Sequence, residues 1–170
     1  FREYDARWLI PQEINLIGVQ ALGLSLATLI HDMGVQPRIV VGHDYRSYSL
    51  SVKQALALGL VSGGAEVLEV GLALSPVAYF ALCALDAPCV AMGTASHNEN
   101  GWTGVNMGAA RPLTFGPDEM TALKRIALEG KARVRSGGSF RAVEGIRAKY
   151  LDDVTAGIKL SRPIKVVAAC

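Results

Sequence analysis

The chain has 170 residues, enough for one hydrophobic core, and 51% of them are hydrophobic while 19% are charged. This balance excludes an intrinsically disordered chain and fits a compact α/β domain whose strands are buried on both faces. The formal net charge is only +2, and lysines and arginines are spread along the sequence, so we expect neither nucleic acid nor a membrane surface as a partner.

The most apolar long stretch, residues 14–30, contains too many polar residues to span a membrane, and no export signal opens the sequence. We therefore expect a cytoplasmic protein with no membrane segment. The three cysteines, Cys83, Cys89 and Cys170, lack the paired spacing of a zinc site or a disulfide framework. They are predicted to be buried or incidental thiols.

Hydrophobic periodicity and helix-terminal residues predict alternating helices and strands. In chain order, the predicted elements are a helix opened by Pro11 and running over residues 14–30, a strand at 38–42, a helix at 49–60, a strand at 66–70, a helix at 76–85, a strand at 89–92, an antiparallel strand at 105–107, a helix from 116–119 to Gly130, a surface loop or irregular strand at 131–140 and a helix at 143–158. This alternation predicts an α/β fold with a mixed, largely parallel sheet sandwiched between helices.

Both ends of the sequence are expected to lie inside a longer protein. The first residue is Phe1, and residues 164–170 have the composition of a β-strand that nothing follows. Natural proteins avoid such an isolated strand because its edge is exposed. We expect residues 1–160 to form one domain and residues 161–170 to begin a second, with the boundary near Pro163.

The loop after the third predicted strand, residues 93–101, is the richest in chemically active side chains. It lies at the carboxyl edge of the sheet, where open α/β sheets bind ligands. It combines a hydroxyl (Ser96), an imidazole (His97) and an amide (Asn98) with glycines that free backbone amides to face an anion.

The residues alone leave two interpretations of this loop open, an ordinary polar turn and a catalytic site. Neighbouring side chains of an extended loop point apart, so we expect His97 to be poorly placed to take the proton of Ser96 directly. Thr94 and Asn98 occupy the positions where the Gly-x-Ser-x-Gly elbow of hydrolases has glycines, and no Walker pattern occurs.

Four segments in the same order resemble the motifs of the α-D-phosphohexomutases, especially the phosphomannomutase/phosphoglucomutase branch. Residues 94–98 are similar to the start of the active-site loop, T-(A/G)-S-H-N-P-x-x-x-N-G-x-K. Residues 1–7 resemble F-R-x-Y-D-I-R-G, residues 42–49 resemble G-R-D-x-R-x-S, and residues 71–76 resemble G-x-x-x-T-P. The chain thus looks like domain 1, the amino-terminal phosphoserine domain, of a multi-domain phosphohexomutase.

The resemblance implies reversible phosphoryl transfer between the 1- and 6-positions of mannose or glucose phosphate. Ser96 would carry the phosphate, donate it to one sugar hydroxyl and take it back from the other position. Mg²⁺ is expected to bind through the phosphate of Ser96 with its other ligands in a second domain, so the fragment alone is expected to be inactive. The implied site consists of the catalytic residues Ser96, His97 and Arg7 and the substrate-binding residues Tyr4, Asn98 and Asn106.

The sequence departs from the family pattern at several positions. Asn106 stands where the family loop has Lys, and an amide can only hydrogen-bond where an ammonium would neutralise phosphate charge. We therefore expect a weakened site, or a cation supplied from elsewhere. The other departures are Thr103 for Asn, Glu99 for Pro, Trp8 for Gly and His43 for Arg.

Two other functions remain open at this stage. A regulatory or interaction module would use the phosphate on Ser96 for docking, without turning over a sugar. A serine hydrolase is disfavoured because the nucleophile elbow is absent. An alternative interpretation of Asp44 and Arg46 gives them no role in the site. In this interpretation Asp44 caps a turn and forms a structural ion pair with Arg46.

Overall fold

The computed structural model describes residues 1–110 and 114–168 of the chain. The elements within these residues are β1 (Ala6–Leu9), α1 (Leu16–Asp32), β2 (Arg38–His43), α2 (Ser49–Ser62), β3 (Glu66–Leu72), α3 (Ser75–Ala84), β4 (Cys89–Gly93), β5 (Trp102–Gly108), α4 (Pro117–Leu128), β6 (Ser139–Ala142) and α5 (Ile146–Thr155). The strands form one sheet in the order β1-β5-β4-β2-β3-β6.

Strands β4, β2, β3 and β6 are parallel, whereas β5 pairs antiparallel with both β4 and β1. The mixed, largely parallel sheet is the one that the sequence predicts. Strand β1 was not predicted from its own pattern. It forms because its four residues pair with β5, from Ala6 opposite Val105 to Leu9 opposite Trp102.

Helices cover both faces of the sheet, which confirms the predicted layers. One face packs against α1, α2 and α4, where Leu26, Leu56 and Leu123 are completely buried. The opposite face packs against α3 and α5, where Leu82 and Ile146 are buried. The core therefore has two layers, one on each side of the sheet.

Two glycines allow α1 and α2 to approach each other closely. A Cβ atom on Gly23 would lie 2.2 Å from the carbonyl oxygen of Leu56, and one on Gly59 would lie 2.0 Å from that of Gln20. Neither position can therefore carry a side chain at this helix separation. Close packing fixes α2, whose amino end carries the 44–48 loop that contacts the candidate site.

Helix α1 begins later than the sequence predicts. The side chain of Asn15 accepts a hydrogen bond of 2.9 Å from the N–H of Gly18 and caps the helix, which leaves Pro11 in the preceding turn. The predicted start at Pro11 is therefore wrong. Neither α1 nor any other helix in the described part of the chain is both long and apolar enough to cross a membrane.

The predicted strand at 164–170 does not form over residues 164–168, and its last two residues lie outside the described residues. Within the described ranges no strand pairs with this segment, and Val166 and Val167 are 76% and 89% exposed. A β-branched segment becomes a strand only where neighbouring backbone and side chains pack against it. The predicted last helix, at 143–158, is also shorter, spanning Ile146–Thr155.

Two of the three cysteines can be placed. Cys89 is buried at the start of β4, and burial raises the pKa of its thiol to about 12. Cys83 is exposed on α3, while Cys170 lies outside the described residues. Cys89 is therefore an unreactive core residue, as predicted.

Replacing Gly59 by Ala is expected to destabilise the domain by about 1–3 kcal/mol, because the new methyl group would collide with the backbone of α1. The collision outweighs the better helix propensity of Ala. Chemical denaturation measures the loss. Gly157→Ala is the matched control, since a Cβ atom there meets nothing within 4 Å. Equal stability of the two variants would show that the helix pair has room for a methyl group.

Candidate active site

The 94–101 loop joins β4 to β5 at the carboxyl edge of the parallel strands. The backbone N–H of Thr94 donates to the carbonyl of Gly104 (2.9 Å), which continues the ladder into the loop. The N–H of Asp44 donates to the carbonyl of Gly93 (2.9 Å), which brings the loop after β2 alongside. The sheet therefore places the segment after β2 next to the loop that the sequence singles out.

Ser96 stands at the tip of a tight turn in an unusual backbone conformation. Its φ of 53° is left-handed, which costs a non-glycine residue about 1–2 kcal/mol. The turn is closed by a hydrogen bond from the N–H of Asn98 to the carbonyl of Ala95 (3.0 Å), and the Ser96 N–H donates to Thr94 Oγ1 (3.0 Å). The Ser96 side chain is exposed to solvent. Such strain persists only where the surroundings hold it.

The conformation of Ser96 overturns one expectation. The hydroxyl of Ser96 lies 3.3 Å from Nδ1 of His97, within hydrogen-bonding range, whereas the sequence predicts side chains that point apart. The prediction assumed extended backbone, and a left-handed residue breaks that alternation. An unprotonated Nδ1 can therefore take the Ser96 proton directly.

A buried arginine holds the loop from the side of β2. Nη2 of Arg46 donates to the carbonyl oxygens of Asn98 (2.6 Å) and Ser96 (3.2 Å). Nη1 of Arg46 donates to the carboxylate of Asp44. The arginine side chain is only 5% exposed, so its charge is shielded from water and compensated by Asp44.

Asp44 connects four groups at the base of the loop. Its carboxylate accepts hydrogen bonds from the Ser49 hydroxyl (2.5 Å) and the Arg46 backbone N–H (3.2 Å), besides the Arg46 guanidinium. Burial alone would raise the pKa of Asp44, but hydrogen bonds from Ser49, Arg46 and Thr94, together with the Arg46 charge, hold it below its ordinary value. The carboxylate is thus favoured in its charged form.

A second arginine reaches the loop from β1. Nη1 of Arg7 donates to the side-chain oxygen of Asn98 (2.5 Å) and to the carbonyl of Ala95 (3.4 Å), while its Nε pairs with Asp5 (2.7 Å). To get there the Arg7 side chain crosses β5 at Gly104, where a Cβ atom would lie 3.0 Å from Cγ of Arg7. The loop is therefore held by cations on two sides.

Tyr48 anchors the far end of the loop and was missed in the sequence. Its hydroxyl donates to the carbonyl of Trp102 (2.7 Å) and accepts from the N–H of Gly101 (2.9 Å). A tyrosine one residue before α2 gives no motif of its own. Only its position, two residues after Arg46 in a segment already singled out, could have pointed to it.

Two predicted site residues are not joined to the loop. Tyr4 is 60% exposed, and its electrostatic contact is with Glu3. Asn106 lies in β5 opposite Met92, further down the sheet than the loop. In the described residues neither side chain hydrogen-bonds to residues 94–101. The structure thus brings together Ser96, His97, Asn98 and Arg7, with Tyr4 and Asn106 outside that cluster.

Comparison with known proteins identifies the family of this domain. The family model for phosphoglucomutase/phosphomannomutase, alpha/beta/alpha domain I, matches residues 1–134, which contain the loop and both arginines that hold it. The chain belongs to the phosphoglucomutase/phosphomannomutase family. Its predicted family membership is thereby confirmed.

The relatives of this domain I are named as mutases. The chain is 31% identical to "Phosphohexose mutases" of Xanthomonas campestris over 98% of its own length and 37% of the relative's. It is 28% identical to "Phosphomannomutase/phosphoglucomutase" of Pseudomonas aeruginosa over 100% of the chain and 36% of the relative. A "Probable phosphoglucosamine mutase" of Methanobrevibacter smithii is 28% identical over 96% of the chain and 37% of the relative. The chain thus spans little more than a third of these relatives.

Solved structures share the fold of this domain I. A phosphoglucomutase/phosphomannomutase family protein from Burkholderia thailandensis superimposes with a TM-score of 0.86 at 24% identity, over 96% of this chain and 36% of that one. A putative phosphomannomutase from Thermus thermophilus gives 0.80 at 25% identity, over 94% and 36%. The sheet and its helices are therefore the family architecture.

The domain does not by itself offer a magnesium site. Within the residues that the structure describes, no group of three or more His, Cys, Asp or Glu side chains could hold a metal ion. Mg²⁺ usually keeps several waters and binds through phosphate oxygens and one or two carboxylates. A phosphate on Ser96 would be the one group that this loop offers to the metal, with no acidic cluster beside it among the described residues.

A polar recess of about 320 Å³ opens beside the loop. Its lining consists of Tyr45, Arg46, Ser47, Asn98 and Asn100. Hydroxyl and amide groups dominate this set, and Tyr45 adds an aromatic ring that is 82% exposed. The recess offers hydrogen-bonding partners to a hydroxyl-rich ligand beside the loop that contains Ser96.

Replacing Asp44 by Asn is expected to destabilise the domain by about 2 kcal/mol at pH 7, because Arg46 would lose its buried counter-charge. The pKa of Asp44 is lower in the folded state than its ordinary value of 3.8. The ion pair therefore stabilises the domain fully above pH 3.8, and this stabilisation is lost progressively as the pH falls through the folded-state pKa. Urea unfolding of both proteins between pH 7 and pH 2 measures it. A stability difference that stays constant across this range would contradict the account.

Proposed function

We propose that the whole protein is a phosphohexomutase that moves phosphate reversibly between the 1- and 6-positions of mannose or glucose phosphate, with Ser96 as the phosphate carrier. One observation carries the proposal: Ser96 is an exposed hydroxyl within the family's loop, held in a left-handed conformation with His97 Nδ1 3.3 Å away. A serine that serves only as part of a turn needs neither the strain nor the imidazole.

The proposed reaction uses Ser96 as leaving group and as nucleophile. A sugar hydroxyl attacks the phosphorus of phosphoserine and gives its proton to solvent, the bond from phosphorus to Ser96 Oγ breaks, and protonated His97 gives the proton on Nδ1 to that oxygen. In the second half Ser96 Oγ attacks the phosphate at the other sugar position and His97 Nδ1 takes the serine proton. The bond from phosphorus to the sugar oxygen breaks, and that oxygen takes a proton from solvent. Positioning and charge stabilisation supply most of the catalysis in such transfers.

Arg7 and Asn98 are proposed to fix the reacting phosphate relative to the loop. Nη1 of Arg7 already binds the Asn98 side chain, so the amide of Asn98 is held with its NH₂ group available to a ligand. Arg7 also adds positive charge next to the loop, which favours a phosphate there. Tyr4 and Asn106 stay predicted substrate contacts, and Mg²⁺ is expected to need ligands from outside this domain.

A serine hydrolase is disfavoured by the surroundings of His97. Within the described residues no carboxylate hydrogen-bonds to this imidazole, so the group that orients the base in a hydrolytic triad is missing. The regulatory module makes the opposite prediction from the mutase, since it needs phosphate on Ser96 and no turnover. Activity of the whole protein separates the two.

Replacing Ser96 by Ala in the whole protein is expected to reduce conversion of mannose 1-phosphate or glucose 1-phosphate by about 10³-fold or more, because the covalent carrier is lost. A coupled assay for the 6-phosphate measures the rate. Ser51→Ala removes a hydroxyl from the exposed surface of α2 and should leave the rate unchanged. Retained activity in Ser96→Ala would rule out the mechanism, and a phosphorylated but inactive wild-type protein would favour the module.

Replacing Asn106 by Lys is expected to raise turnover several-fold, to about tenfold, because an ammonium restores the charge that the family loop places near the phosphoserine. Gln54→Lys adds the same charge at an exposed position on α2 and is the control. Steady-state kinetics of the whole protein compare the two. If turnover does not rise in Asn106→Lys, the site is not limited by the missing cation.

A further inference from the structure

The buried guanidinium of Arg46 determines how two peptide groups of the loop are turned. Nη2 of Arg46 holds the carbonyl oxygens of Ser96 and Asn98, which belong to the peptides before His97 and Glu99. In the described residues the cis peptide bond joins Ile10 to Pro11, so both loop peptides are trans. In a trans peptide the N–H points opposite to the C=O.

The N–H groups of His97 and Glu99 are therefore aimed away from Arg46. Arg46 is the buried partner of both peptides, whereas the side chains of Ser96, His97 and Glu99 are exposed. Neither N–H donates to another group within the described part of the chain. The N–H between them, that of Asn98, is already used by the carbonyl of Ala95.

We propose that the backbone N–H groups of His97 and Glu99 bind the phosphate oxygens of phosphorylated Ser96, and that Arg46 is the positioning residue that turns them outward. Successive N–H groups in a turn form a concave site for anions. The inference rests on the phosphoserine function proposed above and adds the groups that receive the charge. It also explains why a buried, paired arginine sits beneath the loop that contains Ser96.

The arrangement compensates for the departure expected to weaken the site. Asn106 stands where the family loop has Lys, and Nε and Nη1 of Arg7 already bind Asp5 and Asn98. Backbone donors do not depend on either side chain. The positive charge of Arg46 acts through the peptides that it polarises, because hydrogen bonding to a carbonyl makes the N–H of the same peptide a better donor.

The test uses the 170-residue chain with phosphoserine inserted at position 96 during translation, so that it needs no kinase and no enzymatic activity. Amide proton and nitrogen NMR spectra compare the phosphorylated and unmodified chains. We expect the amide protons of His97 and Glu99 to move downfield by more than that of Asn98, which serves as the internal control. An equal shift of all three, or none, would overturn the proposal.

The role of Arg46 is tested in the same phosphorylated chain. Arg46→Met should abolish the downfield shifts of His97 and Glu99, and Arg46→Lys should restore part of them because an ammonium also donates to carbonyls. Arg38→Met, which removes a partly exposed arginine at the start of β2 that pairs with Glu66 of β3, should leave both shifts intact. Unchanged shifts in Arg46→Met would overturn the positioning role.

The outcomes separate this inference from the proposed function. A whole protein that turns over no hexose phosphate would defeat the function, while the amide shifts of the translated phosphoserine would still report on the binding groups. Active enzyme without the selective shifts would defeat the inference alone. If Arg46→Met fails to fold, the comparison of His97 and Glu99 with Asn98 in the unsubstituted chain decides.

Discussion

The candidate site depends on one buried ion pair and the hydrogen bonds that radiate from it. Arg46 is shielded from water, and a lone buried cation would be costly. Asp44 offsets its charge, and the carbonyls of Ser96 and Asn98 accept hydrogen bonds from its Nη2. Because Asp44 follows β2 and the carbonyls belong to the loop after β4, this ion pair connects the segment after β2 with the loop that contains Ser96.

Two further side chains hold the 94–101 loop together with the Arg46–Asp44 ion pair. Tyr48 fixes the end of the loop nearest β5, and Arg7 reaches its middle across Gly104. Three elements thus fix the tip on which Ser96 adopts a left-handed backbone. A strained residue at the exposed tip of an over-determined turn is typical of sites where a side chain must be presented in one geometry. The strain brings the Ser96 hydroxyl and the His97 ring together.

The sequence predicts most of the fold because burial and connectivity leave regular patterns in it. Strands β2, β3 and β4 are short apolar runs between helices, so their parallel sense follows from the alternation. Strand β1 was missed because its residues are recognisable as a strand only through β5. Residues 164–168 show the reverse, a strand-like pattern with no strand beside it among the described residues. In both cases pairing with a distant strand determines whether a strand forms, and the local sequence does not reveal that pairing.

The sequence singles out residues for the candidate site but does not give their geometry. The motif resemblance named Ser96, His97, Asn98, Arg7, Tyr4 and Asn106, and the structure brings only the first four together. The contact between Ser96 and His97 depends on one backbone angle. The roles of Asp44 and Arg46 were left open because the same residues make an ordinary capped turn. Only their distances to the 94–101 loop connect them with it. Tyr48 acts through a hydroxyl whose partners are backbone atoms more than fifty residues away.

The central claim is that Ser96 carries phosphate. Its most direct test is phosphopeptide mapping by mass spectrometry of the whole protein after incubation with a hexose 1,6-bisphosphate. We expect phosphate on Ser96, and we expect it to be lost when substrate monophosphate is added and the bisphosphate is formed. Phosphate confined to another residue, or an active enzyme that never carries phosphate on Ser96, would contradict it.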